Sequence, residues 1–118
     1  MLIRELSGKT GVSIRSIRHY EARGLLTPKR LANGYRDYGD AAIAKVKTIQ
    51  LYLSLGLTTE SIAEILDCPV SSPNDRPLCK EAYQVYKAKL EAINRQIELL
   101  CFVQLQLLER MKEFEQHQ

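Results

Sequence analysis

The sequence is poor in the features that define several classes of protein. Its 118 residues include no Trp, two Phe, four Pro and three Cys. No apolar run approaches the roughly 20 residues that a membrane-spanning helix needs. Three cysteines are an odd number, which does not suit a scaffold built from paired disulfides. We therefore expect neither contact with a membrane nor a disulfide framework.

The first residues also lack the apolar stretch of a secretory signal, because Arg4, Glu5 and Lys9 interrupt it. Together with the cysteine count, this favours a reducing, cytoplasmic location. Groups suited to catalysis are scarce as well. The only two histidines are His19 and His117, and no glycine-rich phosphate loop follows a strand. We expect no enzymatic activity and no cofactor.

What the sequence does have is an adequate apolar fraction, 45%, and an uneven charge. Residues 1–40 contain eight Lys and Arg against four Asp and Glu, whereas residues 41–118 contain nine against ten. The net charge of +3 therefore comes from the first third of the chain. Such an asymmetry indicates either a polyanionic partner or a solvated basic face.

The first two segments predict two short helices joined by a tight turn. Residues 2–8 carry a short apolar pattern, and Ser13 is a good N-cap for the helix that follows. That helix is predicted to end at Gly24. Its Arg15, Arg18 and His19 fall on one face at 100° per residue, and a helix of this size fits the DNA major groove.

Residues 29–38 predict a small β-hairpin, or wing, because Asn33-Gly34 suits a tight turn between Tyr-bearing flanks. Its basic and phenolic side chains could contact phosphates. By spacing and chemistry, the candidate DNA-binding residues of the second helix and the wing are Arg15, Arg18, His19, Lys29, Arg30, Tyr35, Arg36 and Tyr38.

Two further helices are predicted after the wing. Asp40 and Thr58 are their candidate N-caps. In the first of these helices, Ala42, Val46, Ile49 and Leu53 form one apolar face. These elements complete a predicted DNA-binding domain at residues 1–66.

The last third of the chain predicts one long helix. Residues 67–77 hold three of the four prolines and form the predicted linker. Residues 78–118 then repeat apolar side chains at spacings of 4 and 3 over five heptads. A helix of this kind, about 55 Å long, cannot be buried on so small a domain, so we expect a second copy of the chain to cover it. The predicted dimerisation residues are Tyr86, Leu90, Ile93, Ile97, Leu100, Gln104, Leu107 and Met111.

Several motifs resemble the DNA-binding domain of the MerR family of bacterial transcription regulators. They are TGVSIRSIRHYEARGLLTP (10–28), NGYRDY (33–38) and LGLTTESIAEIL (55–66). The resemblance implies an all-α fold with a small β-wing, that is, a winged helix-turn-helix followed by a long helix that pairs antiparallel in a dimer. It also adds Tyr20 to the candidate DNA contacts.

The resemblance further implies a function. Members of the family are homodimers that bind double-stranded promoter DNA and distort its spacer in response to an effector, and so act on RNA polymerase indirectly through DNA. This function would place the protein at the nucleoid. The alternative is a coiled-coil interaction or anti-regulator protein that keeps the fold without binding DNA. Such a protein would be expected to lose its basic face, which is present here.

The effector is the open question. The chain ends soon after the long helix, so we expect no added ligand-binding domain. Cys79 lies where several metal-sensing relatives carry a metal-binding thiolate. It could bind a metal with Cys68 or His117, or sense oxidants. We favour an inert, partly buried thiol and no metal site, and we expect Cys101 to act as a small hydrophobic side chain.

Overall fold

The computed structural model describes residues 1–66 and 79–117. The predicted linker, residues 67–77, lies outside the described residues, as does Cys68. The elements run in the order α1 (Ile3–Thr10), α2 (Ile14–Ala22), β1 (Lys29–Arg30), β2 (Arg36–Asp37), α3 (Ala41–Ser54), α4 (Thr59–Ile65) and α5 (Lys80–Gln116). Helices with one small sheet were the predicted fold class, and this prediction is confirmed. The chain divides into two compact units, Met1–Tyr83 and Gln84–Gln118.

The turn between α1 and α2 is closed by its own polar groups. Gly11 adopts a φ of +74°, which L side chains rarely tolerate, and donates its N–H to the carbonyl of Ser7. The Ser7 hydroxyl donates to the carbonyl of Val12 at 2.7 Å. As predicted, Ser13 then caps α2, because its hydroxyl accepts from the N–H of Ser16. These contacts fix the angle at which α2 leaves α1.

The core of the first unit forms where α1 packs against α2 and α3, and α3 against α4. Its fully buried side chains include Leu6, Ile17, Ile49 and Ile62. Burial of each aliphatic side chain of this kind stabilises the fold by about 1.5–3 kcal/mol before entropy is counted.

The buried face of α3 differs from the prediction at one position. Val46 and Ile49 are buried as predicted, but Tyr52 completes the face and Leu53 is exposed. A step of 3 from Ile49 keeps Tyr52 on the buried stripe, whereas a step of 4 carries Leu53 past its edge.

The hairpin pairs β1 and β2 antiparallel, with Lys29 opposite Asp37 and Arg30 opposite Arg36. The turn is longer than a two-residue Asn-Gly turn, because residues 31–35 separate the strands. Gly34 adopts a φ of +85°, and the side chain of Asn33 accepts from the N–H of Tyr35 at 3.1 Å. The predicted hairpin is therefore present, with Asn33 acting through its side chain as well.

The predicted N-caps of α3 and α4 have different outcomes. Thr58 caps α4, since its hydroxyl accepts from the N–H of Ser61. Asp40 occupies the cap position of α3 but makes no capping hydrogen bond. Its backbone is already helical (φ −60°, ψ −31°), whereas a side-chain cap needs an extended residue, so that prediction was wrong.

Helix α5 has 37 residues and spans about 55 Å at about 1.5 Å per residue. Within the unit Gln84–Gln118, most of its predicted seam is exposed. The exposed seam residues are Leu90, Ile97, Leu100, Gln104, Leu107 and Met111, whereas Tyr86 and Ile93 are half-buried. An exposed apolar stripe of this length is unusual for a helix without a partner. Among the described residues, no helix is both long and apolar enough to cross a membrane.

Candidate nucleic-acid interface

Helix α2 presents a basic outer face and an apolar inner one. Arg15, Arg18 and His19 are exposed, while Ile17 and Tyr20 are buried. This is the amphipathic division that a recognition helix needs, because its outward side chains must reach base edges and phosphates. The structure thus places three of the predicted DNA-binding residues together on one free surface.

The hairpin adds cations and a phenol beside this face. Lys29, Arg30 and Tyr35 are exposed, and Tyr35 is 62% exposed. Arg36 is half-buried, with 29% of its side chain accessible. These side chains come from both strands and from the turn, so the wing offers several phosphate contacts at once.

An open groove of about 640 Å³ lies between the start of α1, the outer face of α2 and the hairpin, all of which contribute to its lining. Three arginines from three elements line it, namely Arg4, Arg18 and Arg36. Arg4 is not among the DNA-binding residues predicted from the sequence, because its distance along the chain from α2 gives no sign of this proximity. The remaining lining residues are Leu2, Ile3, Ile14, Gly34 and Tyr35.

Two predicted DNA contacts are core residues instead. Tyr20 is 3% exposed, and its hydroxyl accepts a hydrogen bond from Nε2 of Gln50 at 2.6 Å. Tyr38 is 1% exposed. Neither ring reaches the surface that DNA would occupy, so their assignment as direct contacts is corrected. Because a phenol has both an apolar ring and a polar end, position in a motif cannot distinguish packing from phosphate binding.

A carboxylate on the recognition helix joins α2 to the wing. The Oε2 atom of Glu21 lies 2.7 Å from Nε of Arg36 and accepts a hydrogen bond from the Tyr38 hydroxyl at 3.3 Å. The other oxygen, Oε1, lies 4.0 Å from Nη2 of Arg30. Within the described residues, Nε of Arg36 has no hydrogen-bond partner. Its contact with Glu21 is therefore an ion pair whose N–H is poorly aligned.

The α-ammonium group of Met1 holds the opposite side of the wing. It donates to Oδ1 of Asp37 at 2.7 Å and to the carbonyl of Tyr38 at 2.8 Å, and both hydrogen bonds are partly buried. The Tyr38 N–H donates in return to the Met1 carbonyl at 2.7 Å. The hairpin thus has a second attachment, on α1's side of the domain.

This environment changes the acidity of Tyr38. Burial raises the pKa of its phenol above the usual 10.0, and the nearby Glu21 carboxylate raises it further. Arg36 and Arg18 act in the opposite direction. The net shift is upward, so the phenol stays protonated and donates to Glu21 at neutral pH.

The cysteines differ from expectation. Cys79 is buried and disulfide-bonded, and its Sγ accepts from the N–H of Ala82 at 3.4 Å. Cys101 is free and exposed. The predicted burial of Cys79 is confirmed, whereas the preference for a thiol there was wrong, because a count of cysteines carries no information about their proximity. Its sensing role stays a prediction. Within the described residues, no group of three or more His, Cys, Asp or Glu could hold a metal.

A helix-turn-helix with an exposed basic second helix and a basic β-wing defines a winged helix-turn-helix DNA-binding domain. The sequence pattern described as the MerR HTH family of regulatory proteins matches residues 1–68. The chain therefore belongs to the MerR family, a class of DNA-binding transcription regulators.

Three known proteins illustrate the similarity. The mercuric resistance operon regulatory protein of Bacillus cereus is 32% identical over 108 residues, covering 91% of this chain and 80% of that protein. The transcriptional activator TipA of Streptomyces coelicolor is 28% identical over 92 residues, or 77% of this chain. The match spans only 36% of TipA. The crystal structure of the N-terminus of the Bacillus subtilis multidrug transporter activator, MtaN, has a TM-score of 0.68 and 25% identity, with 94% and 96% coverage.

Proposed function

We propose that a homodimer of this chain binds double-stranded promoter DNA through two copies of the winged helix-turn-helix. The observation that carries the proposal is the exposed basic face of α2, Arg15, Arg18 and His19, beside a wing that bears Tyr35 and Arg36. A recognition helix reads base edges in the major groove, and wing cations neutralise phosphates alongside.

The dimer is proposed to form through α5. In a single copy, α5 exposes an apolar stripe to water, which is unfavourable. The stripe consists of Leu90, Ile97, Leu100 and Leu107. A second copy offers the same stripe, so an antiparallel pair covers both at once. Two DNA-binding units held by one rigid pair would contact two half-sites at a fixed separation.

Regulation is proposed to act through the shape of the DNA. A dimer that bends or untwists the spacer between promoter elements changes how RNA polymerase meets them, without touching the polymerase itself. This activity would take place on the nucleoid in the cytoplasm, in response to an effector. The competing candidate, an interaction protein that does not bind DNA, has no use for the exposed arginines of α2.

The test replaces Arg18 with Ala and measures binding by fluorescence anisotropy, with a duplex that the wild-type chain enriches from random-sequence DNA. Loss of one base or phosphate contact costs about 1–3 kcal/mol, so affinity should fall by about tenfold. The matched control is Lys112→Ala on α5, which removes the same charge from an exposed position. It should change affinity by no more than about twofold.

Equal binding by the two variants would contradict the assignment of α2 as the recognition helix. Failure of the wild-type chain to enrich any duplex would favour the interaction protein instead. Light scattering on each variant verifies that the oligomeric state is unchanged, so a loss of affinity cannot be attributed to loss of the dimer.

A further inference from the structure

We propose that Glu21 is a positioning residue that determines DNA specificity, because it fixes the wing against the recognition helix. The inference rests on the proposed function and assigns a role to a residue that would not itself contact DNA. Its carboxylate is an anion next to the surface expected to face a polyanion. Some contact must therefore offset its unfavourable placement.

The helix does not supply that contact. Glu21 stands in the last turn of α2, which ends at Ala22, where the helix dipole disfavours a negative charge. It is also largely buried, with 20% of its side chain exposed, and a carboxylate in such a place needs partners. Among the described residues, the side-chain partners of its carboxylate all come from the wing.

Two of those partners lie on the strands, Arg30 on β1 and Arg36 on β2, and the third, Tyr38, directly follows β2. Arg36 Nε is 2.7 Å from the carboxylate, Arg30 Nη2 is 4.0 Å away, and the buried Tyr38 hydroxyl donates to it at 3.3 Å. One carboxylate thus reaches three side chains of a hairpin with only two residues in each strand. So small a sheet is not stable by itself.

The consequence concerns the spacing between Arg18 and Tyr35. Arg18 lies on the outer face of α2, and Tyr35 lies on the hairpin turn, and both line the same groove. Their separation depends on how the hairpin is held against α2. A base-reading residue misplaced by a small distance loses its directional hydrogen bonds, whereas phosphate attraction tolerates such a shift. Loss of the Glu21 contacts should therefore reduce sequence discrimination more than overall DNA affinity.

The experiment compares Glu21→Gln with Glu60→Gln in the full chain. Glu60 lies on α4 and pairs with Arg23 at 3.8 Å, with both side chains exposed. Each substitution removes one negative charge from the same unit, so their effects on net charge are matched. Glu21→Gln releases Arg36 and Arg30, and Glu60→Gln releases Arg23. Anisotropy gives affinity for two duplexes of equal length. One is enriched by the wild-type chain from random DNA, and the other has an unrelated sequence.

For Glu21→Gln, the ratio of the two affinities should fall by about tenfold, while affinity for the unrelated duplex stays equal or rises. For Glu60→Gln, the ratio should stay within about twofold of the wild type. Equal ratios in the two variants would overturn the inference. An equal loss of affinity for both duplexes in a folded Glu21→Gln variant would also overturn the inference.

A second variant covers the case in which Glu21→Gln does not fold. Tyr38→Phe keeps the buried ring and removes only the hydroxyl that donates to Glu21. It should lower the ratio by about threefold, in the same direction, and an unchanged ratio would overturn the inference. Failure of the wild-type chain to discriminate between the two duplexes would instead contradict the proposed function.

Discussion

The hydroxyl of Tyr20 on the recognition helix accepts a hydrogen bond from Nε2 of Gln50 on α3 at 2.6 Å. The contact ties α2 to the helix that carries much of the core, and it uses a side chain that the motif suggested for DNA. We therefore expect Tyr20 to hold α2 in place against α3 rather than to contact DNA.

Replacement of Tyr20 by Phe tests this role. The variant keeps the ring but loses the hydrogen bond, so the free energy of unfolding should fall by about 1 kcal/mol. Affinity for a selected duplex should change by no more than about twofold, since no DNA contact is lost. Denaturation at fixed protein concentration and anisotropy measure the two quantities. Full stability combined with a large loss of affinity would return Tyr20 to the DNA surface.

Asp37 is expected to stabilise the wing through the Met1 ammonium group, 2.7 Å away. Asp37→Asn leaves that partly buried charge with a weaker partner, so the free energy of unfolding should fall by about 1–2 kcal/mol. The estimate is kept low because Asp37 itself is 43% exposed.

The matched control for Asp37 is Asp40→Asn. It removes the same charge three residues later, at an exposed position with no capping hydrogen bond. Its stability should stay within about 0.5 kcal/mol of the wild type. Equal denaturation midpoints for the two variants would show that the Met1–Asp37 pair contributes nothing measurable.

The raised pKa of Tyr38 predicts a loss of stability at high pH. In the unfolded chain the phenol ionises near its usual pKa of 10.0, whereas in the folded chain it keeps its proton to higher pH. The stabilisation is therefore complete below pH 10 and declines as the pH rises from there through the folded-state pKa. Absorbance titration of the phenols, with denaturation at several pH values, measures this.

Tyr38→Phe should remove that part of the pH dependence. The control Tyr35→Phe removes an exposed phenol from the same hairpin and should leave the dependence in place. If the wild type and Tyr38→Phe lose stability in parallel above pH 10, then the phenol is not the group responsible.

The fourth prediction concerns the oligomeric state of variants in the α5 seam. Ile93→Glu combined with Ile97→Glu places two charges in the seam of α5, and burial of unpaired charges is costly. Light scattering should then report monomers, with weaker DNA binding. The control, Asn94→Glu with Gln106→Glu, adds the same charges off the seam and should remain dimeric. A dimeric seam variant would refute α5 as the pairing element.

The sequence was most informative where periodicity and turn chemistry act locally. The Ser13 cap, the Asn33-Gly34 hairpin and the α5 helix all follow from neighbours along the chain. It was least informative where residues distant in sequence meet. Glu21 and Arg36 are 15 residues apart, and Met1 and Asp37 are 36 apart. Glu21 is itself a charged residue on the apolar side of α2, and this position was the sign in the sequence that it has partners elsewhere in the fold.

The same limit explains the corrections at the site. A helical wheel separates the outer Arg15, Arg18 and His19 from the inner Ile17, but a tyrosine suits either side. Tyr20 and Tyr38 are buried because tertiary packing needs their rings, and local pattern cannot decide that. Likewise, the state of Cys79 depends on which cysteine lies near it in space, which composition does not record.

The central claim is that two copies of this chain read one stretch of DNA together. The most direct measurement is selection of duplexes from random-sequence DNA by the full chain, followed by footprinting of the enriched sequence at increasing salt. We expect an enriched inverted repeat, protection of both halves at the same protein concentration, and an affinity whose logarithm falls linearly with that of salt, by about 0.9 per phosphate contacted. Enrichment of no sequence, or protection of a single half alone, would contradict the account.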